Sequence, residues 1–130
     1  MQRLFLLLLL VACFALGCVD QSTSTGIGNS TTTHENFAAR LKIANAILAN
    51  SERDATLAVI ANDAAKAGIS DVTIDAVTAI QSNNLRDKTC AEASVLLAKA
   101  GGVADASNVA KLIQLNSLRD QTLTRIARGD

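Results

Sequence analysis

Ala49-Asn50-Ser51-Glu52-Arg53-Asp54-Ala55-Thr56-Leu57 is a string that this chain writes three times. It returns as Ser82-Asn83-Asn84-Leu85-Arg86-Asp87-Lys88-Thr89-Cys90 and again as Leu115-Asn116-Ser117-Leu118-Arg119-Asp120-Gln121-Thr122-Leu123. Arg53, Arg86 and Arg119 stand 33 positions apart, as do Ile47, Ile80 and Ile113, and Gly68 and Gly101 keep the same spacing. A fixed period of this length is what stacked supersecondary units leave in a sequence. The chain therefore reads as a small helical repeat protein.

The unit has an internal order. Ser51-x-x-Asp54, Asn84-x-x-Asp87 and Ser117-x-x-Asp120 each place a capping residue three before a carboxylate, a helix-start signature. Leu57, Ile60, Ala61 and Ala64 then fall at i, i+3, i+4 and i+7, one face of a helix. The second copy offers Cys90, Ala93 and Leu97 on that face, and the third Leu123, Ile126 and Ala127. Gly68 and Gly101 are placed to end the first two of these helices as left-handed cap residues. A shorter helix follows each glycine, with Val72, Ala76, Val77 and Ile80 in one and Val109, Leu112 and Ile113 in the other. Upstream, Thr32-Thr33-His34-Glu35 reads as another capping box, opening a helix through Ala49 with Phe37, Leu41, Ala44 and Leu48 on one side. Six helices are predicted, near 33–49, 52–67, 71–82, 85–100, 104–115 and 118–128. Turns this short make neighbouring helices antiparallel. Arg125 and Arg128 replace less basic residues of the earlier copies, as the outer face of a terminal repeat requires.

Composition sets further bounds. The 130 residues leave room for one domain, expected over 34–130. Twelve basic and twelve acidic residues balance, so no net field draws in nucleic acid. Hydrophobic residues make up 49 %, without Trp or Tyr, so the core must be built from many small aliphatic contacts.

Residues Phe37–Arg128 resemble the tetratricopeptide class of helix-turn-helix repeats, best at Lys99-Ala100-Gly101-Gly102-Val103-Ala104-Asp105-Ala106. The proline that follows the second helix in that family is missing, and so is the Thr-Pro-Leu-His of ankyrin repeats. The resemblance implies an all-α, short right-handed stack of αα-hairpins, TPR- or HEAT-like. It also implies binding of an unknown protein or peptide partner on a concave helical surface.

The N-terminus reads as an address. Met1-Gln2-Arg3 precedes the apolar run Leu4–Leu16, too short to span a bilayer but suited to a secretory signal. Ala15-Leu16-Gly17-Cys18 resembles the lipobox of bacterial lipoproteins. That resemblance implies removal of 1–17, lipid on Cys18, and a domain held at the cell envelope on the periplasmic or extracellular side. Leu10-Val11-Ala12-Cys13 is a rival lipobox, and an ordinary signal peptide with an incidental cysteine is a third reading. The Ser/Thr-rich stretch over 18–33 buries too little apolar surface to offset ordering and is expected to be a tether.

Chemistry is sparse. The only histidine, His34, is expected as a solvated helix-start residue, and without it no Ser-His-Asp or Cys-His set exists. There is no phosphate loop and no metal-ligand spacing, so no enzyme activity, cofactor or metal is expected. Cys90 stands where Leu57 and Leu123 stand in the other copies, the place of a buried small hydrophobe. The pairs Arg53–Asp54, Arg86–Asp87 and Arg119–Asp120 are the ordered polar feature. They suit a ladder in which Arg of one unit meets Asp of the next, or a row that captures carboxylates of a partner. Thr56, Thr89 and Thr122 suit local backbone hydrogen bonding. Two functions remain: an anchored interaction module, or a structural protein that self-associates. A binding site belongs at exposed positions that differ between copies.

Overall fold

The computed structural model describes residues 26–130, with side chains from residue 31 onward. The expected signal segment 1–17, Cys13, Cys18 and the start of the tether lie outside the described residues. The protein is all-α over the described part, with six helices and no strand. They are α1 (Gly26–Asn45), α2 (Asn50–Lys66), α3 (Ser70–Ala79), α4 (Asn83–Lys99), α5 (Val103–Ala110) and α6 (Asn116–Arg128).

The aliphatic faces account for how these helices meet. Leu57, Ile60, Ala61 and Ala64 of α2 and Cys90, Ala93 and Leu97 of α4 are all buried. So are Val72, Ala76, Val77 and Ile80 from α3 and its end, and Val109, Ala110 and Ile113 from α5 and its end. Alanine on these faces lets helix backbones approach closely, while each buried Leu or Ile contributes roughly 1.5–3 kcal/mol. Within this core α2 packs on α3 and α4 on α5. Further contacts join α2 to α4 and α4 to α6, and α3 touches both α1 and α5. Leu112, expected on the core face, is 37 % exposed.

Gly68 and Gly101 end α2 and α4 as the sequence predicts, at φ +74° and +94°. Gly68 N–H donates to Ala65 O and Ile69 N–H to Ala64 O, and Gly101 and Gly102 donate likewise to Ala98 and Leu97. This paired bonding satisfies carbonyls that a helix end leaves open, and it needs a left-handed residue.

The helix starts depart from expectation. Ser51, Asn84 and Ser117 are not the caps: the cap positions are Ala49, Ser82 and Leu115, none with a capping side-chain bond. Asp54 and Asp87 lie a turn deep in their own helices and serve the next one. Asp54 accepts from the N–H groups of Gln81 (3.1 and 3.2 Å) and Ser82 (2.8 Å), just before α4. Asp87 accepts from Gln114 (3.0 Å) and Leu115 (2.9 Å), just before α6. Capping passes between units.

The first helix differs too. It runs from Gly26 to Asn45 where 33–49 was expected, so residues 26–33, assigned to the tether, are helical. Once a helix is nucleated, each added residue gains a hydrogen bond, which carries it past the expected capping box. At the other end, bonds from Ala46 to Ile43 and from Ile47 to Ala44 tighten the chain into a turn. Leu48, expected on the packed face, is left 95 % exposed. His34 is half-exposed, as a solvated residue would be, but it lies well inside α1 and not at its start, and its Nε2 lies 2.7 Å from Asp71 Oδ2, tying α1 to α3. Arg40, whose guanidinium stacks over Phe37, reaches Asp63 at 3.0 Å and ties α1 to α2.

Candidate functional site

Positions that repeat in the sequence divide between structural work and exposure. Asp54 and Asp87 are buried by the N–H groups they hold, whereas Asp120 is exposed. The expected ladder from Arg to the next Asp is not how the units join, since the link runs from Asp to backbone. Arg53 Nε stands 3.9 Å from Asp54 within the same helix, with its Nη2 buried and unpartnered. Arg86 and Arg119 donate to Asn83 and Asn116, one turn earlier. Thr56, Thr89 and Thr122 each donate to a carbonyl four residues back at 2.7 Å, as expected.

Cys90 is fully buried against the core. Its desolvation, with Asp87 nearby, pushes the thiol up to about 11, so it stays protonated at neutral pH and is no nucleophile there. The His34 hydrogen bond holds the Asp71 carboxyl below its ordinary value. Among the described residues, no three His, Cys, Asp or Glu side chains cluster as metal ligands. No helix there is long and apolar enough to cross a membrane.

One concave feature that joins three helices is a shallow groove of about 350 Å³ across α2, α4 and α6. Asn62 and Lys66 come from α2, Glu92, Val95, Leu96 and Lys99 from α4, and Arg125 from α6. Helical spacing explains the set. Residues at i, i+3, i+4 and i+7 of α4 (92, 95, 96 and 99) share one face, and the neighbouring helices bring one or two residues each to it. Val95 is buried as an apolar floor, while Lys66, Lys99 and Arg125 are exposed around it. The lining includes one carboxylate, Glu92, which accepts from Asn62 Nδ2 at 3.1 Å and lies 4.0 Å from Lys88, while Lys66 lies 3.9 Å from Asp63 on its own helix. The Asn62 Oδ1 is buried with no hydrogen-bond partner. Such a groove can take carboxylates on its rim, and it offers one acceptor inside for a ligand N–H.

The sequence singled out Arg125 only as part of a polar end face, and it passed over Asn62, Lys66, Glu92 and Lys99. A signal was there, because Val59, Glu92 and Arg125 are register equivalents that differ in every copy, as are Asn62, Val95 and Arg128. Choosing among variable positions required knowing which of them face one another across three helices. No family model, no curated protein and no solved structure matches this chain.

Proposed function

We propose that the six helices form a short right-handed stack of αα-hairpin units, TPR- or HEAT-like, that serves as a protein-interaction module. Its groove takes an acidic segment of a partner, and lipid on Cys18 holds it at a bacterial envelope membrane. The stack reading is supported by the spacing of the inter-unit bonds: Asp54 to Gln81 and Ser82, then Asp87 to Gln114 and Leu115, one period on. The ligand reading rests on one observation, three exposed cations against one engaged carboxylate around an apolar floor. Rim charges of this kind set partner choice and capture rate more than raw affinity.

A fluorescent deca-glutamate peptide tests the groove, with deca-glutamine as the neutral control. Anisotropy is expected to report binding of the acidic probe alone, weakening as salt rises. The double variant Lys66→Glu with Lys99→Glu is expected to lose roughly tenfold in affinity, about 1.4 kcal/mol. Equal binding of both peptides would remove the acidic-partner reading. For the anchor, Cys18→Ser is expected to abolish incorporation of labelled fatty acid; incorporation that continues would discard Cys18 as the site.

A further inference from the structure

The described helices begin and end on halves of a unit. α2 with α3 and α4 with α5 are complete pairs, whereas among the described helices α1 has no long partner before it and α6 no short partner after it. The 33-residue register shows what each end lacks. Ile43 holds the position of Ala76 and Val109, which are both 0 % exposed, yet Ile43 is 69 % exposed. At the far end, Ala127 holds the position of Ala61 and Ser94, both fully buried, and is itself exposed. Leu123 is only partly buried where Leu57 and Cys90 are closed off.

The polar register is open at the same two ends. Asp120, the register equivalent of Asp54 and Asp87, is exposed, and its carboxylate takes no bond among the described residues. Leu48 and Ala49 stand one period before Gln81 and Ser82, the residues whose N–H groups Asp54 holds. No carboxylate among the described residues reaches them. Beside them lies an apolar notch of about 190 Å³, whose lining includes Ile43, Ile47, Val59 and Ile60. In the complete units the matching surface is covered by the preceding long helix.

We propose that a second copy of this chain docks head to tail, its α1 completing the pair that α6 leaves open. The second copy's Leu48 and Ala49 N–H groups then meet Asp120, and its Ile43 side is closed off by the α6 face that carries Leu123 and Ala127. The occupant follows from register, because the contact continues an interface that the chain already makes twice within itself. The two surfaces differ, so the association is heterologous and adds copies in a row. It rests on the hairpin-stack reading and is independent of the acidic groove.

The experiment is sedimentation of the full chain in a mild detergent, with the detergent's contribution matched out. The wild-type mass is expected to rise with concentration. Ile43→Glu spoils the head and Ala127→Glu the tail, so each variant alone is expected at single-chain mass. Mixed one to one, they are expected to form a two-chain species, because each keeps one intact end. Both side chains are exposed in the single chain, so thermal melting close to wild type confirms that the variants fold. A wild type that stays at single-chain mass, association that persists in both variants, or a mixture without dimers would each overturn the proposal. Failure of the stack reading itself would appear elsewhere, as an Asp87→Ala variant whose melting is unchanged.

Discussion

Asp54, Asp87 and Asp120 are the same residue at the same register, and their surroundings separate them. A carboxylate that accepts two backbone N–H groups at 2.9–3.0 Å, as Asp87 does, gathers two charge-assisted bonds at the positive end of a helix. Asp87→Ala leaves those two donors without their acceptor in a partly buried place, at about 1–3 kcal/mol for each that stays unsatisfied. The expected cost is about 2–4 kcal/mol, or roughly 10 °C or more in melting midpoint for a domain of this size. Asp120→Ala, measured at concentrations where the chain is single, is expected to stay within about 0.5 kcal/mol of wild type. Circular dichroism melts of the two variants check this. Equal losses would mean that the carboxylate acts within its own helix and not on the next unit.

At the scale of elements, what the sequence discloses is what lies within one helix. The faces built on Leu57, Leu97 and Val77 were legible because burial at i, i+3, i+4 and i+7 is a property of a single helix. The glycines were legible because Gly68 and Gly101 need a conformation that other residues adopt at a cost of roughly 1 kcal/mol. Apart from α1, helix starts came within about two residues, the ordinary uncertainty of a frayed end. The links between helices were hidden. Ser51-x-x-Asp54 has the spacing of a cap within one helix, yet Asp54 bonds 27 and 28 residues ahead, at a distance that no local pattern reports. His34 bonds Asp71 across 37 residues for the same reason: the partner comes from packing, not from neighbours in sequence. The groove was hidden twice over, since it needs three helices in place and a choice among positions defined by their failure to repeat. Arg125 was visible as an oddity of the third copy and became interpretable only beside Lys66 and Lys99.

For the whole molecule, the question is whether the two complete units stand or fall together. α4 decides it, because it lies between the two pairs and packs on α2, α3, α5 and α6. Leu97 lies on that helix at 0 % exposure, inside the aliphatic core. Leu97→Ala is therefore expected to cost about 2–5 kcal/mol through lost transfer energy and the cavity that remains. Against a typical total of about 5–15 kcal/mol, that is a large share of all the stability such a domain has. Leu123→Ala, at a partly buried site on α6, removes contacts at one end only and is expected to cost less, under about 2 kcal/mol. In a row of units coupled only to their neighbours, a weakened middle uncouples its two sides. If coupling through α4 dominates, α2 and α3 have too little core of their own to survive its loss, and both units unfold in one step. The expected signature is a single helical transition in Leu97→Ala, shifted down and no broader than that of the wild type. Hydrogen exchange makes the same distinction amide by amide, with protection in α2 falling as far as protection in α5. Two separate transitions, or α2 amides that keep their wild-type protection, would show that the units are independent and that α4 joins them without binding their stabilities together.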